Sequence, residues 1–163
     1  MILVGLGANL PGPGGAPPRA TLAWALGRLN ALPGLRFRAV SRLWDSAPVP
    51  PSGQPRYLNA VAAYAGTAAP EALLAALHAL EAEAGRVRGV RDAARCLDLD
   101  LLDLDGMVRA GAPVLPHPRL AGRGFVLRPL AEIAPSWRHP VTGASVAALI
   151  AALPEGEDCR PLP

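Results

Sequence analysis

The stretch Cys96-Leu97-Asp98-Leu99-Asp100-Leu101, continuing as Leu102-Asp103-Leu104, alternates apolar and acidic residues with a period of two over its first six positions. That is the period of a β-strand, whose successive side chains leave opposite faces. Leu97, Leu99 and Leu101 are thereby directed into a core. Asp98 and Asp100 share the other face, with roughly 7 Å between their Cα atoms. Two carboxylates held that close repel each other unless cations neutralise them, and hard oxygen donors on a rigid strand suit magnesium carrying nucleotide phosphates. The acidic solvent face of an exposed strand has the same pattern, so the surroundings must decide.

Immediately upstream, Gly85-Arg86-Val87-Arg88-Gly89-Val90-Arg91-Asp92-Ala93-Ala94-Arg95 supplies four arginines in a segment with too little periodicity to be a stable element. It leaves one element and enters the acidic strand. Guanidiniums opposite a carboxylate pair allow phosphates to be held between magnesium and Arg, which is the arrangement phosphoryl transfer relies on. A solvated arginine loop is the alternative. Downstream, Pro116-His117-Pro118-Arg119 through Arg123-Gly124-Phe125 delivers an imidazole, two guanidiniums and an aromatic ring, with prolines fixing the backbone on both sides of His117. His78 and His139 have weaker cases. No HExxH or Cys/His zinc spacing occurs.

Outward from the strand, the chain reads as alternating elements. Met1 to Leu6 is a buried strand, followed by a Gly/Pro-rich turn from Gly7 to Pro18. Leu22, Leu26 and Leu29 recur at helical spacing before Pro33-Gly34, which predicts a helix over 18–32. Leu35, Phe37 and Ala39 alternate with Arg36, Arg38 and Val40, a strand with one wet face running to about residue 45. Ala47 to Pro55 holds four prolines and a glycine, so it is a long loop. A strand over 57–65 carries Tyr57 and Asn59 on one face, a stacking ring beside an amide that both donates and accepts, which fits a flat heteroaromatic ring. A helix follows, opened by Pro70-Glu71 and closed by Gly85. After the acidic strand, Asp105-Gly106 reads as a hairpin turn into Met107-Val108-Arg109, and Ser145 caps a last helix over 145–153. The order predicts an α+β fold: a ferredoxin-like βαββαβ core with an added β-hairpin and a C-terminal helix, helices on one face of the sheet and ligand on the other. One domain spans 1–163, with Glu155 to Pro163 frayed.

Composition narrows the chemistry. All 16 basic residues are Arg, so a P-loop lysine, a Schiff base and a lysine general base are closed to this chain. The net charge of +3 and a pI near 9.5 permit a polyanionic partner. Three Trp, two Tyr and two Phe are too few for an RNA-stacking sheet, and an Asp pair at its centre argues against RNA as well. Cys96 and Cys159 read as free thiols in a reducing cytoplasm, and no apolar stretch approaches the roughly 18 residues of a membrane span. Gly5-Leu6-Gly7-Ala8-Asn9-Leu10 lacks the third glycine of a dinucleotide fingerprint.

With these residues assembled, the chain resembles the 6-hydroxymethyl-7,8-dihydropterin pyrophosphokinases of folate biosynthesis over residues 1–138. The resemblance lies in Gly7-Ala8-Asn9-Leu10, in Gln54-Pro55-Arg56-Tyr57-Leu58-Asn59-Ala60-Val61, in Gly85-Arg86-Val87-Arg88, in Arg95-Cys96-Leu97-Asp98-Leu99-Asp100, and in Pro116-His117-Pro118-Arg119 with Arg123 to Leu130. It implies a cytoplasmic monomer that moves diphosphate from ATP to the pterin alcohol, without nucleic-acid or membrane partners. It further implies two magnesium ions on Asp98 and Asp100, nucleotide contacts from Glu81, Arg86, Arg88, Arg95, His117 and Arg123, and catalytic roles for Arg86, Arg95, Asp98 and Asp100. The pterin would lie between Tyr57 and Phe125, read by Asn59 and by the segment of Ser46, Ala47 and Val49. Where the family has Trp-Gly-Pro-Arg before its metal strand, this chain has Asp92-Ala93-Ala94-Arg95, which also admits a relative that binds nucleotide without turnover.

Overall fold

The computed structural model describes residues 1–86 and 95–163. Its centre is β1 (Ile2–Ala8), every residue of which is buried. β1 pairs on one side with β5 (Asp98–Leu104) and on the other with β4 (Tyr57–Gly66), both antiparallel. The far edge of β4 is shared by β2 (Leu35–Val40) and β3 (Trp44–Ser46), and β3 is bordered by β6 (Cys159–Pro161). Among the described residues four α-helices pack with the sheet: α1 (Pro18–Asn30), α2 (Pro70–Glu83), α3 (Gly124–Ile133) and α4 (Val146–Ala151). The architecture is therefore α+β, an antiparallel sheet with helices packed on it.

Alternation within the strands sorts the core into two layers. Ile2, Val4 and Leu6 of β1 join Leu97, Leu99 and Leu101 under Leu22 and Leu29 of α1 and Leu73, Leu77 and Leu80 of α2. Leu3, Val61, Ala63 and Leu102 face the other way, against Val126, Leu127 and Leu130 of α3 and Val146 of α4. Helices thus cover both faces, not one as the element order suggested. The second face is closed only over part of its area, and its open end carries Asp98 and Asp100.

β5 serves both layers because it bulges. Leu3 is opposite Asp103 while Val4 is opposite Leu101, so Leu102 is an extra residue that resets the alternation. Leu102 and Asp103 consequently both lie on the α3 side, and Asp103, almost fully buried, accepts the Trp137 Nε1 hydrogen at 2.8 Å and the Gly106 N–H at 3.0 Å.

Several expectations need correction. The strand predicted from 35 to 45 breaks into β2 and β3, and Phe37 is 45% exposed, its ring edge-on to Tyr64 at 6.1 Å. Asp105 and Gly106 do form a tight turn with positive φ (51° and 71°), closed by Met107 N–H to the Leu104 carbonyl, but the strand expected after it reduces to one bridge between Arg109 and Leu115. β1 runs on through Gly7 and Ala8, which were expected to turn. The tail does not fray: β6 pairs with β3, and Leu162 N–H donates to the Leu43 carbonyl at 2.8 Å. α3 went unforeseen. The remaining boundaries agree to within two residues, including Gly85 at φ 83° past α2 and Ser145 capping α4 through the Ala148 N–H.

Trp137→Phe removes the donor from a buried carboxylate, which costs about 1.5–3 kcal/mol for a hydrogen bond to a charged group. Urea denaturation should show the unfolding free energy falling by that amount through a lower midpoint at preserved slope, and an unchanged midpoint would show that Asp103 does not depend on Trp137.

Candidate active site

Asp98 and Asp100 stand on the α3 side of the first half of β5, opposite Gly7 and Gly5 of β1. The two glycines matter here. A Cβ on Gly7 would lie 3.4 Å from Asn59 Oδ1 and 3.9 Å from Asp98 Cβ, so glycine keeps open the floor between the amide and the acid. Leu97, Leu99 and Leu101 are buried on the opposite face, as the alternation requires, while the side chains of Asp98 and Asp100 remain 24% and 32% exposed.

Cations meet both acids. Arg86, just past the end of α2, reaches Asp98 Oδ1 with Nη1 at 2.8 Å, and Arg95 reaches Asp98 Oδ2 at 2.7 Å. Arg123, at the start of α3, donates to Asp100 Oδ2 at 3.3 Å, and His117 Nε2 lies 3.8 Å from Asp100 Oδ1. His117 Nδ1 accepts the Arg119 N–H at 3.2 Å, which places the ring hydrogen of the neutral form on Nε2, facing the acid. Burial pulls the Arg95 guanidinium down, but the charge and hydrogen bond of Asp98 outweigh it and hold Arg95 above its ordinary value. Glu81 is 1% exposed; its carboxylate accepts the Leu99 N–H at 2.8 Å and an Arg86 hydrogen, so it braces Arg86 against the acidic strand. Arg88 and the Asp92-Ala93-Ala94 departure lie outside the described residues.

The acidic strand separates two clefts that share Asp98 and Arg95. One is polar and lined by Glu81, Arg86, Asp100, His117 and Arg119, with His78 at its edge. The other, about 560 Å3 including its open mouth, is lined by Ser46, Ala47, Val49, Tyr57, Asn59, Arg123 and Phe125. Every described site residue read from the sequence thus borders one of the two clefts. Asn59 spends its amide hydrogens on Ser46 Oγ at 2.9 Å and the Trp44 carbonyl at 3.4 Å, with its Oδ1 on the Gly7 side. The Arg123 guanidinium lies 5.4 Å from the Phe125 ring centroid, within the same cleft. His139 instead packs edge-on to Trp137.

One residue of the assembly carried no role in the sequence reading. Asn9, 3% exposed, donates to Gln54 Oε1 at 3.2 Å and the Pro55 carbonyl at 3.0 Å, and accepts the Arg95 N–H at 2.8 Å. Gln54 Oε1 also accepts the Tyr57 hydroxyl at 3.1 Å. Asn9 therefore joins the end of β1, the arginine before β5 and the proline loop before β4. An Asn directly after a buried strand, with a proline-rich loop far along the chain, gives no pairing signal in a single sequence.

The donor set suits magnesium, which takes oxygen ligands from one or two carboxylates and completes its shell with phosphate and water. Among the described residues no group of three or more His, Cys, Asp or Glu stands together, so an all-protein metal cage is absent there. Fold and site together define an α+β protein with one cleft lined by guanidiniums and carboxylates and another lined by rings and amides, meeting at one acidic strand. The chain belongs to the 7,8-dihydro-6-hydroxymethylpterin-pyrophosphokinase family, whose profile matches residues 3–135. It is 44% identical over 155 residues to the 2-amino-4-hydroxy-6-hydroxymethyldihydropteridine pyrophosphokinase of Pseudomonas aeruginosa, covering 94% of this chain and 91% of that one. It is 39% identical to the protein of the same name from Methylorubrum extorquens over 81% of each chain, and 35% identical to that of Synechocystis over 96% of this chain and 76% of that one.

Burial, with Arg123 and Arg119 beside it, holds His117 below its ordinary value, and Asp100 only partly opposes them. The unfolded chain therefore takes up this proton first as pH falls, so the contribution of neutral His117 is complete above about 6.5 and is lost as pH drops below that toward the folded value. Urea midpoints at pH 7 and pH 5 should fall further apart in the parent than in His117→Gln; equal differences would contradict the assignment.

Proposed function

We propose that this chain transfers diphosphate from ATP to the hydroxymethyl group of 6-hydroxymethyl-7,8-dihydropterin, giving AMP and the pterin diphosphate, in folate biosynthesis. The observation that carries the reading is the pair of unlike clefts meeting at Asp98, one lined by guanidiniums and carboxylates and one lined by rings and amides. Family membership and the names of the relatives support the same reaction.

Two magnesium ions would be held by Asp98 and Asp100, and bound magnesium would neutralise charge on the polyphosphate. Arg86, Arg95, His117 and Arg123 would exchange their present carboxylate contacts for phosphate oxygens, a substitution that bidentate guanidiniums make without changing charge. Arg88 would join them, and Glu81 would keep Arg86 aimed. Tyr57 and Phe125 would stack on the two faces of the pterin, with Asn59 and the Ser46, Ala47 and Val49 segment against its hydrogen-bonding edge. The hydroxymethyl oxygen then attacks the β-phosphorus in line, its bond to phosphorus forming as the bond from that phosphorus to the α,β-bridging oxygen breaks. The hydroxyl proton is lost and AMP departs. No side chain becomes covalently attached, and catalysis is positioning together with charge stabilisation.

The sheet order, β5-β1-β4 with β2 and β3 beyond β4 and all pairs antiparallel, supports the ferredoxin-like reading of the core. A cytoplasmic monomer without nucleic-acid or membrane partners is part of the same proposal; among the described residues no helix is long and apolar enough to cross a membrane.

AMP formation from ATP, magnesium and 6-hydroxymethyl-7,8-dihydropterin is the direct test. Asp98→Ala should lower kcat/KM by about a thousandfold, the scale of losing charge stabilisation at a transferring phosphoryl group. Turnover equal to the parent would remove Asp98 from the site, and no AMP from the parent would reject the reaction.

A further inference from the structure

The C-terminal segment after Leu153 lies beyond the 3–135 match to the family profile, yet two consecutive residues of it hold opposite walls of the ring-lined cleft. Glu157 Oε1 accepts the Gly124 N–H at 2.9 Å, at the first residue of α3, between Arg123 and Phe125. Asp158 offers its carbonyl to the Ala47 N–H at 3.0 Å, on the facing wall. β6 continues the attachment by pairing Cys159 with Ser46 and Arg160 with Asp45, and the Asp158 carboxylate grips Arg56 from outside.

The Glu157 contact has the features of a designed fit more than of surface packing. Its side chain is only 17% exposed, its Oε2 is buried without a hydrogen-bond partner and lies 3.9 Å from Arg128 Nε, and burial of a carboxylate is costly unless it is compensated. Compensation comes from the Gly124 amide at the start of a helix, where the helix dipole favours negative charge. Position 124 must also be glycine for this contact, because a Cβ there would overlap the Glu157 carboxylate. Residue 157 and residue 124 are therefore matched in shape and charge.

We infer that Glu157 is a positioning residue for the pterin: with the Asp158 carbonyl it sets the gap between the Ser46-Ala47 wall and the Phe125 wall. The inference rests on the diphosphate-transfer reading for the identity of the ring, and on the contacts above for the clip itself. Glu157 touches no reacting atom. Its effect passes through the Gly124 amide to Phe125, and through the same turn to Arg123, whose nucleotide-side role is shared with Arg86, Arg95 and His117.

Two measurements separate the clip from the reaction. Hydrogen exchange at the Gly124 amide, in the protein without ligands, should quicken about tenfold or more in Glu157→Ala, the scale of one charge-assisted hydrogen bond, and return toward the parent in Glu157→Gln, whose amide oxygen still accepts. In steady-state kinetics Glu157→Ala should raise KM for the dihydropterin about tenfold, with KM for ATP changing less than about threefold, and Glu157→Gln should recover most of the loss. Unchanged exchange at Gly124 would overturn the clip. Equal rises in both KM values, or no recovery in Glu157→Gln, would overturn the positioning role and leave general damage to the fold. A parent enzyme that forms no AMP would overturn the reaction and with it the substrate named here, whereas the exchange result would still judge the contact.

Discussion

The structure depends on keeping two negative charges side by side on a strand that is otherwise part of the core. The β pleat fixes Asp98 and Asp100 on one face, and burial of Leu97, Leu99 and Leu101 on the other prevents the strand from rotating to separate them. Repulsion between the acids must then be met from outside. Arg86 and Arg95 arrive from the two ends of the segment that leads from α2 into β5 and Arg123 from the start of α3, and each makes a direct contact with Asp98 or Asp100. Most of the second layer of the site exists to aim those three: Glu81 braces Arg86, Asn9 fixes the backbone of Arg95, and the start of α3 carries Arg123.

A lysine in any of these places would behave differently. Its ammonium is a single, strongly hydrated charge, whereas the guanidinium fork can hold a carboxylate in one state and a phosphate in another through the same planar set of donors. The absence of lysine from the whole chain is therefore compatible with the site, where three partly buried guanidiniums each face a carboxylate.

Much of this was legible in the residues because the informative signals are local. Alternation in β5, Pro70 and Gly85 bounding α2, and Ser145 before α4 each act within a few positions. What escaped was non-local or disguised. α3 begins at Gly124 and contains Pro129, two residues that read as punctuation, although Val126, Leu127, Leu130 and Ile133 keep helical spacing. β6 looked like a loose end because Glu155, Gly156 and Pro161 suggest coil, and only its partner β3, more than a hundred residues earlier, makes it a strand. The split between β2 and β3 likewise depends on two different stretches of β4 receiving them. Asn9 belongs to the same class, since its worth comes from Gln54, Pro55 and Arg95 converging on one amide.

The extra residue in β5 has a consequence of its own. Because Leu102 absorbs one step of the alternation, the part of the strand before it and the part after it are out of phase with each other. Asp103 can then hold Trp137 as a structural anchor without dictating where Asp98 and Asp100 point. The bulge works like a clutch between two halves of one strand: changes around the indole can be absorbed by the packing under α3 and α4, while the spacing of the two acids remains set by the pleat of the first half of β5.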